Sequence, residues 1–268
     1  MAEEEMRVLI ASVVVFMIAV PSTMAGRGGG NFYVPALVAS GQSMHQAATT
    51  GQLILLLTAC AGMLVFQKHG LVDWKLALVI DPPTDIMALA GGYLAHMVPG
   101  ASLKLVLAGL LVLAGFLMLM KIKDRPISPD KRFGFWRRRF ADHEYVVNLW
   151  LALPIAAATG AAAGAVGISG GSFKVPLMVL LCGVPMRVAV ATSSAMVAAT
   201  ALMGFIGHTA GGDFQPNWAV PIACAGVAGG LIGAKSALRV EPENLKRLFA
   251  WTTLAAAVFM MVNTGLSQ

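Results

Sequence analysis

Two matched glycine-rich stretches hold residue types that suit the binding of an anion. Residues 26–35 read GRGGGNFYVP, and residues 167–176, 141 positions later, read GISGGSFKVP. Amides at the start of a short helix present N–H groups and a partial positive charge, which favour anions. The candidate binding residues are Arg27, Gly29, Gly30 and Asn31 in the first stretch and Gly170, Gly171, Ser172 and Lys174 in the second. Asn31 and Ser172 are also good helix caps. The alternative is that the glycines only permit a tight turn and close helix packing.

A patch of hydroxyl and amide side chains opens the apolar run after each stretch. Thr49, Thr50 and Gln52 belong to the first patch; Thr192, Ser193 and Ser194 form the second, in which Thr192 falls opposite Thr50. These side chains supply neutral donors to a small oxyanion without demanding a counter-charge, so we expect them to bind substrate. The alternative is that the hydroxyls bond carbonyl oxygens of their own helix.

Four charged residues lie inside or beside apolar sequence. A charge at membrane depth is a functional hypothesis by default, so Arg27 and Lys174 are candidates to shape an anion site. Either side chain could instead extend to the membrane interface. Asp81 and Asp85 flank a proline pair that is expected to kink or break its helix. Asp81 and Asp85 are candidates for proton coupling, as are His45, His96 and His208. For Asp85 the alternative is capping of a restarted helix.

The composition places these residues in a membrane. Of the 268 residues, 57% are apolar and only 12% are charged, whereas a soluble chain carries about 25% charged residues. We therefore predict an all-α polytopic membrane protein that crosses the cytoplasmic (inner) membrane several times. The predicted spanning runs are residues 6–21, 44–66, 74–96, 103–120, 145–166, 188–206, 218–238 and 245–262.

Each glycine-rich stretch is followed by a segment, residues 31–40 or 173–181, that is too short to cross a bilayer as a helix. We predict a short, broken half-helix at each of these places. Irregular backbone at membrane depth is tolerated only inside protein or beside a watery cavity. Paired breaks in two halves of a chain are a sequence pointer to the binding site of a transporter.

The chain is predicted to be a duplicated unit. Gly91 falls opposite Gly233, and residues 103–104 opposite 245–246, at an offset of 142. The predicted parts are a first transmembrane repeat at 1–122, a basic cytoplasmic loop at 123–144 and a second transmembrane repeat at 145–268. If each short segment counts as a crossing, the repeats are inverted and the basic residues face the cytoplasm. Parallel repeats would place the basic residues of 239–247 outside, so we favour inverted repeats.

The basic loop mixes arginines with Phe133, Phe135, Trp136 and Phe140. Basic residues interleaved with aromatics are typical of nucleic-acid binding. Between two membrane spans, a cytoplasmic loop with aromatics at the headgroup level is the better explanation. We expect no nucleic-acid partner.

Most signatures of enzymes do not occur in the sequence. It contains no His-Glu-x-x-His or Cys-x-x-Cys motif and no phosphate loop ending in Gly-Lys-Ser/Thr. Residues 167–171 (GISGG) have the Gly-x-Ser-x-Gly spacing, but they follow a predicted spanning helix and not the strand that a nucleophile elbow requires. Cys60, Cys182 and Cys224 show no metal-ligand spacing. We predict that the protein is not an enzyme and that it has neither a cofactor nor a metal site.

The chain resembles a known family of membrane permeases from about residue 22 to residue 264, most strongly in its second half. The motifs that carry the resemblance are residues 170–177 (GGSFKVPL), 184–185 with 191–193 (VP and ATS), 233–235 (GAK) and 241–247 (EPENLKR). They are similar to those of the TauE/SafE sulfite exporter family. The first half departs from the pattern, with Thr50-Gly51-Gln52 in place of the Thr-Ser signature. The resemblance implies movement of sulfite, or of sulfonates such as sulfoacetate, without use of a nucleotide.

Together these observations predict a secondary transporter that exports a small sulfur-containing anion with ion or proton coupling. The alternatives are a passive channel, an uptake permease for small organic anions such as carboxylates, and a membrane module that docks a partner through the basic loop. The expected partners are a small anionic substrate and the lipid bilayer. A homodimer is the alternative to a monomer.

Overall fold

A computed structural model describes residues 2–99, 133–140, 142–167, 170–210 and 214–241, with isolated positions at 212, between 102 and 116 and between 243 and 258. The first half contains α1 (Ala2–Met24), α2 (Gly30–Ala39), α3 (Met44–Lys68), α4 (Trp74–Leu94) and a 3₁₀ turn (Ala95–Met97). A hairpin of β1 (Phe135–Phe140) and β2 (His143–Asn148) follows. The second half contains α5 (Leu149–Val166), α6 (Gly171–Pro176), a π-helical turn (Leu177–Leu181), α7 (Met186–Thr209) and α8 (Pro216–Ala237).

The polytopic architecture is confirmed. In the described part of the chain, α1, α3, α5, α7 and α8 are long and apolar enough to cross a membrane. The short segments after the glycine-rich stretches form α2 and α6, as predicted. Most of the predicted spans 103–120 and 245–262 lies outside the described residues.

Helix α4 continues through Pro82 and Pro83, so of the kink or break predicted at this pair, the break does not occur. The helix begins at a strong cap, because the Asp73 carboxylate accepts hydrogen bonds from the Lys75 and Leu76 amides. Close packing of α4 on α5 and α7 compensates for the amides that the prolines lack.

Small residues allow the helices to approach one another closely. On α5, a Cβ added to Gly160 would lie 2.7 Å from the Thr84 Cα, and one added to Gly164 would lie 2.6 Å from the Ala88 Cα. Helices α1 and α8 meet in the same way, where a Cβ on Gly229 would lie 2.6 Å from the Ala19 Cβ. These two seams correspond under the duplication, since α1 matches α5 and α4 matches α8.

The contacts between helices fix their relative directions. Helices α1, α3 and α8 run one way, and α4, α5 and α7 run the other way. Each of α1, α3 and α4 is therefore antiparallel to its counterpart in the second half. The neighbouring pairs that establish this are Gln52–Gly204 and Gly62–Ser194 for α3 and α7, Thr84–Gly160 and Ala88–Gly164 for α4 and α5, Asp73–Thr192 and Asp85–Thr200 for α4 and α7, Thr58–Gly230 and Gly62–Ala234 for α3 and α8, and Ala19–Gly229 and Val20–Gly233 for α1 and α8.

The β-hairpin corrects the prediction of an all-α protein. Strands β1 and β2 pair antiparallel, with Phe135 opposite Asn148 and Phe140 opposite His143. Exposed and half-buried residues alternate along β1, which is the pattern of a strand with one covered face. The sequence of β1, FWRRRF, does not itself alternate between apolar and polar residues, so it gave no period-two signal of a strand. Helix α5 consequently begins at Leu149, later than the predicted start at 145.

The hairpin covers one end of the helical bundle, called here the hairpin end. Tyr145 and Val147 of β2 are buried in one hydrophobic cluster with Leu76 of α4 and Met178 of the π-helical turn. The hairpin is thus part of the folded core and not a free loop.

Candidate functional site

The two glycine-rich breaks meet near the middle of the bundle. We call residues 26–30 the first glycine break and residues 167–171 the second, of which residues 168 and 169 lie outside the described part. A Cβ on Gly171 would lie 2.9 Å from the Gly26 carbonyl oxygen. Both breaks also contact Val197 of α7, from Gly28 on one side and Gly171 on the other. Backbone from both halves therefore reaches one place.

The two breaks differ in conformation. Gly29 caps α2 in the left-handed region, with φ 102°, whereas the matching Gly170 caps α6 with an ordinary helical φ of −57°. The predicted capping by Asn31 and Ser172 is wrong, since Gly30 and Gly171 already belong to the helices and neither N-cap has a side-chain hydrogen bond. The side chains of Asn31 and Ser172 lie outside the described residues. Gly171 needs to be glycine because of close approach, not because of a positive φ.

The two polar patches lie at different depths. Ser193 sits beside the second glycine break, with its Oγ 3.0 Å from the position of a Gly171 Cβ. Gln52 instead faces Gly204, farther from the hairpin end. Gly204 and Thr192 are separated by roughly 18 Å along α7, at 1.5 Å per residue. The structure therefore does not bring Thr50 and Gln52 together with Thr192 and its neighbours.

Side chains within each patch also differ in their partners. Thr192 Oγ1 accepts a hydrogen bond from the Asp73 amide at 3.0 Å, and Ser194 donates to the Val190 carbonyl of its own helix at 3.1 Å. The Thr50 hydroxyl, both polar atoms of the Gln52 amide and the Ser193 hydroxyl have no hydrogen-bond partner among the described residues. All three side chains are at most 1% exposed. Since buried polar groups are normally paired, these are the groups best suited to receive a ligand.

Lys174 lies at the centre of a buried charged cluster. Its ammonium forms an ion pair with Asp81 and donates to the Thr200 hydroxyl at 2.5 Å and to the Met196 carbonyl at 3.0 Å. The Thr200 hydroxyl lies 2.7 Å from an oxygen of Asp85. Lys174 is 1% exposed and Asp81 is 5% exposed. We call Lys174, Asp81, Asp85 and Thr200 the Lys174 cluster.

The positions that the predicted duplication matches with Lys174 and Thr200 carry no charge. Tyr33 stands at the position that matches Lys174, and it lies next to Thr58, the match of Thr200. Both are buried. Arg27, the other predicted cation, is 1% exposed within the first glycine break. The matched positions therefore differ in charge.

A second buried carboxylate ties the hairpin to α4. Arg138 of β1 donates two hydrogen bonds of 3.0 Å to Asp73, and the Tyr145 hydroxyl donates to the same carboxylate. Burial by itself raises the pKa of Asp73, but the hydrogen bonds from Arg138 and Tyr145 outweigh it and lower the pKa below its usual value. Sequence reasoning missed this contact, because the partners are 65 and 72 residues away.

Three histidines gather at the end opposite the hairpin. The rings of His45 and His96 stack with centroids 5.7 Å apart, and His96 meets His208 edge-on at 5.9 Å. His208 Nε2 lies 2.8 Å from the Gly164 carbonyl oxygen. Within the described part of the chain, no group of three or more His, Cys, Asp or Glu side chains has an arrangement that would hold a metal ion.

Comparison with known proteins identifies relatives along most of the chain. Residues 11–260 match the family model described as "Sulfite exporter TauE/SafE". A Bacillus subtilis protein named "Probable membrane transporter protein YunE" is 26% identical over 236 residues, covering 83% of this chain and 86% of the relative. A Xylella fastidiosa "Probable membrane transporter protein" is 26% identical over 89% of this chain and 88% of its own length. A second Bacillus subtilis protein, "Probable membrane transporter protein YdhB", is 21% identical over 94% of this chain and all of its own length. No solved structure matches.

Proposed function

The chain belongs to the TauE/SafE sulfite exporter family and is a multi-pass membrane transporter, and on that premise we propose that it moves a small sulfur-containing anion across the cytoplasmic membrane. Sulfite and organosulfonates such as sulfoacetate are the proposed substrates, and export is the proposed direction. The family and the relatives share a transport role, and the proposal adds a class of substrate and a direction to it.

One observation carries the proposal: a buried, unpartnered hydroxyl stands where the two glycine breaks meet. Ser193 is 0% exposed, has no partner among the described residues and faces Gly171. Lys174 is adjacent, since a Cβ on Gly170 would lie 3.7 Å from its ammonium nitrogen. A neutral donor and a nearby cation, enclosed by backbone, suit an oxyanion that must shed its water.

We also propose that the two repeats are inverted. The antiparallel direction of α3 and α7 supports this, as do the opposed directions of the other matched helices. Arg187, whose guanidinium donates to the Val240 carbonyl at 3.2 Å, lies at the same end as the basic hairpin, and Glu4 at the other end accepts from Trp218 at 3.2 Å. A basic end and an acidic end are what the positive-inside rule leads one to expect of inverted repeats.

Burial at mid-depth favours a transporter over the alternative of a passive channel. Ser193, Lys174 and Thr200 are each at most 2% exposed, so an anion there must be admitted by movement of the protein. Saturable counterflow of labelled sulfoacetate in proteoliposomes is the expected result. Unitary currents in a planar bilayer would instead establish a channel.

Two adjacent serines test the anion site. Ser193→Ala should weaken sulfoacetate binding roughly tenfold or more, because a hydrogen bond to an anion is worth about 1.5–3 kcal/mol. Ser194→Ala is the matched control, since the Ser194 hydroxyl is already bonded to Val190, and its affinity should stay near that of the wild type. Equal affinities in the two variants would contradict the site.

Whether the protein prefers sulfur-containing anions to carboxylates is tested with a panel of anions. Thermal shifts of the purified protein with sulfite, sulfoacetate, sulfate and short carboxylates should be largest for sulfite or sulfoacetate. A larger shift with a carboxylate would replace the proposed substrate by a small organic acid.

A further inference from the structure

We propose that the Lys174 cluster couples the anion to a proton, so that a proton on the Asp81–Asp85 carboxylate pair releases Lys174 to bind the anion. This inference rests on the proposed function and adds the coupling ion and the residues that exchange it. One proton and one anion then cross together.

The hydrogen bonds of Lys174 are fully used in the structure. An ammonium group has three N–H donors, and here they go to Asp81, the Thr200 hydroxyl and the Met196 carbonyl. An anion can therefore reach Lys174 only if one of these partners withdraws. Asp81 is the partner that a proton can remove, because a neutral carboxylic acid no longer forms an ion pair.

The charges of the cluster do not balance without an added proton. Two carboxylates, Asp81 and Asp85, share one ammonium and one hydroxyl. With both carboxylates ionised, the cluster carries a net negative charge at membrane depth, which is costly. A proton taken up by the pair together with the anion offsets one negative charge of that anion, so this charge does not add to the cost.

The described helices that pack against the cluster supply no other charge at its depth, and the other predicted buried cation, Arg27, belongs to the first glycine break. Helix α5, which packs against α4, contains no ionisable residue, and α6 contains only Lys174. Helix α7 carries Arg187 and His208, close to its two ends. The remaining ionisable residues of α4 are Lys75 and Tyr93, close to the ends of that helix.

The released ammonium would find the anion beside it. A Cβ on Gly170 would lie 3.2 Å from Lys174 Cε, and a Cβ on Gly171 would lie 3.0 Å from the unpartnered Ser193 hydroxyl. The cation, Lys174, lies beside Gly170, and the neutral donor, Ser193, lies beside Gly171. The two groups therefore flank neighbouring residues of the second glycine break. The anion takes the place of Asp81 as the counter-ion of Lys174.

The coupling is reciprocal by linkage. Protonation of the pair favours the anion, because it frees the ammonium; the bound anion favours protonation, because it neutralises the ammonium that had stabilised the carboxylates. No covalent bond changes in this cycle. One proton moves onto a carboxylate oxygen of the pair and leaves again on the other side of the membrane.

Proton uptake by the purified full-length protein tests the proposal. Sulfoacetate is the probe, since its carboxyl is ionised above about pH 6. Calorimetric titration in buffers of different ionisation enthalpy should show uptake of about one proton per anion, and the dissociation constant should fall by up to about tenfold per pH unit as the pH is lowered. Asp81→Asn should bind sulfoacetate with neither proton uptake nor pH dependence. Asp142→Asn is the matched control, at an exposed turn where asparagine also accepts the φ of 60°, and it should behave as the wild type.

The outcomes separate this inference from the proposed function. Sulfoacetate binding to the wild type without proton uptake overturns the coupling and leaves the anion site standing. Proton uptake that persists in both Asp81→Asn and Asp85→Asn overturns the assignment to the cluster. Absence of sulfoacetate binding to the wild type at every pH overturns both. The wild-type measurement decides even if Asp81→Asn fails to fold.

Discussion

Gln52 has the most unsatisfied side chain among the predicted binding residues. Both polar atoms of its amide lack partners in the described part of the chain, and the side chain is 1% exposed. Removing a side chain that serves function at the expense of stability should raise the stability and lower the activity.

Gln52→Leu should therefore raise the melting temperature and impair transport. Removing an unsatisfied buried amide relieves a desolvation cost of about 1–3 kcal/mol, whereas sulfoacetate counterflow should fall at least tenfold if the amide contacts the anion on its way. Thr49→Val is the control, because the Thr49 hydroxyl bonds the His45 carbonyl at 3.0 Å, and its transport should be unchanged. A less stable Gln52→Leu protein with normal counterflow would show that the amide is structural.

Thr192→Val should act in the opposite way from Gln52→Leu. Its hydroxyl accepts from the Asp73 amide at 3.0 Å, and valine would leave that buried donor unpaired. We expect the free energy of unfolding to fall by about 1–3 kcal/mol, with little direct effect on the affinity for sulfoacetate. Melting temperature and binding measured on the same samples distinguish the two residues, and a large loss of affinity without loss of stability would return Thr192 to the binding site.

For single residues, the sequence indicated which side chains were candidates for function, but it did not predict which side chains they contact. Lys174 stood out because a cation in an apolar run needs a reason. Its partner Asp81 is 93 residues away, and no spacing in the sequence joins the two. The division of the second patch into a bonded Thr192, a self-bonded Ser194 and an unpartnered Ser193 also depends on packing that the sequence does not encode locally.

The hairpin is the element whose attachment is best defined. Arg138→Gln should lower the free energy of unfolding by about 1.5–3 kcal/mol, because it removes charged hydrogen bonds to a carboxylate that is 0% exposed. Arg137→Gln is the matched control on the same strand: its partner Glu144 is exposed, so we expect a change below about 0.5 kcal/mol. Hydrogen exchange of residues 135–148 is the measurement, and similar protection in the two variants would contradict the clamp.

The same carboxylate gives a prediction about acid. The pKa of Asp73 is lowered in the folded protein, so the stability it contributes is complete above the ordinary aspartate pKa of about 3.9 and is lost only as the pH falls through its folded pKa. The difference in melting temperature between the wild type and Asp73→Asn should be constant from neutral pH to about pH 5 and should shrink below about pH 4. A difference that disappears already at pH 6 would show that another group controls the hairpin.

The helix seams make a third prediction at this scale. Gly164→Ala should destabilise the protein by more than 1 kcal/mol, because its Cβ would lie 2.6 Å from the Ala88 Cα and force α4 and α5 apart. Gly109→Ala, whose Cβ would meet nothing within 4 Å, should be neutral or stabilising by up to about 1 kcal/mol. Comparable melting temperatures for the two variants would mean that the seam yields easily.

At the scale of the whole molecule, the directions of the helices predict which surfaces share a side of the membrane. In a background without Cys60, Cys182 and Cys224, cysteines at Gln67 and Arg187 should react only with a reagent applied from the cytoplasm. A cysteine at Asn217, at the opposite end, should react only from outside. Labelling of Asn217→Cys and Arg187→Cys from the same side would exclude the inverted arrangement.

The sequence predicted the long helices and the short segments of the molecule, but it did not predict the hairpin or the unbroken α4. Apolar runs and the two glycine-rich stretches predicted the long helices and the short α2 and α6, since these depend on local pattern and length. The hairpin was missed because its aromatic and basic residues have a ready explanation at a membrane surface. The unbroken α4 was missed because the rule for proline describes an isolated helix, whereas α4 is held on two sides by neighbours.

That unbroken helix has a mechanical consequence. Pro82 and Pro83 have no amide hydrogen, so the carbonyls of Leu78 and Val79 receive no bond from within α4. The backbone of α4 is therefore least restrained at this proline pair, which directly follows Asp81. Two of the backbone bonds that resist bending elsewhere in the helix are absent next to Asp81, so bending costs less there than in the rest of α4. A change in the interactions of the Asp81 side chain is therefore expected to change the angle between the two parts of α4. The resulting displacement grows with distance from the prolines toward either end of the helix.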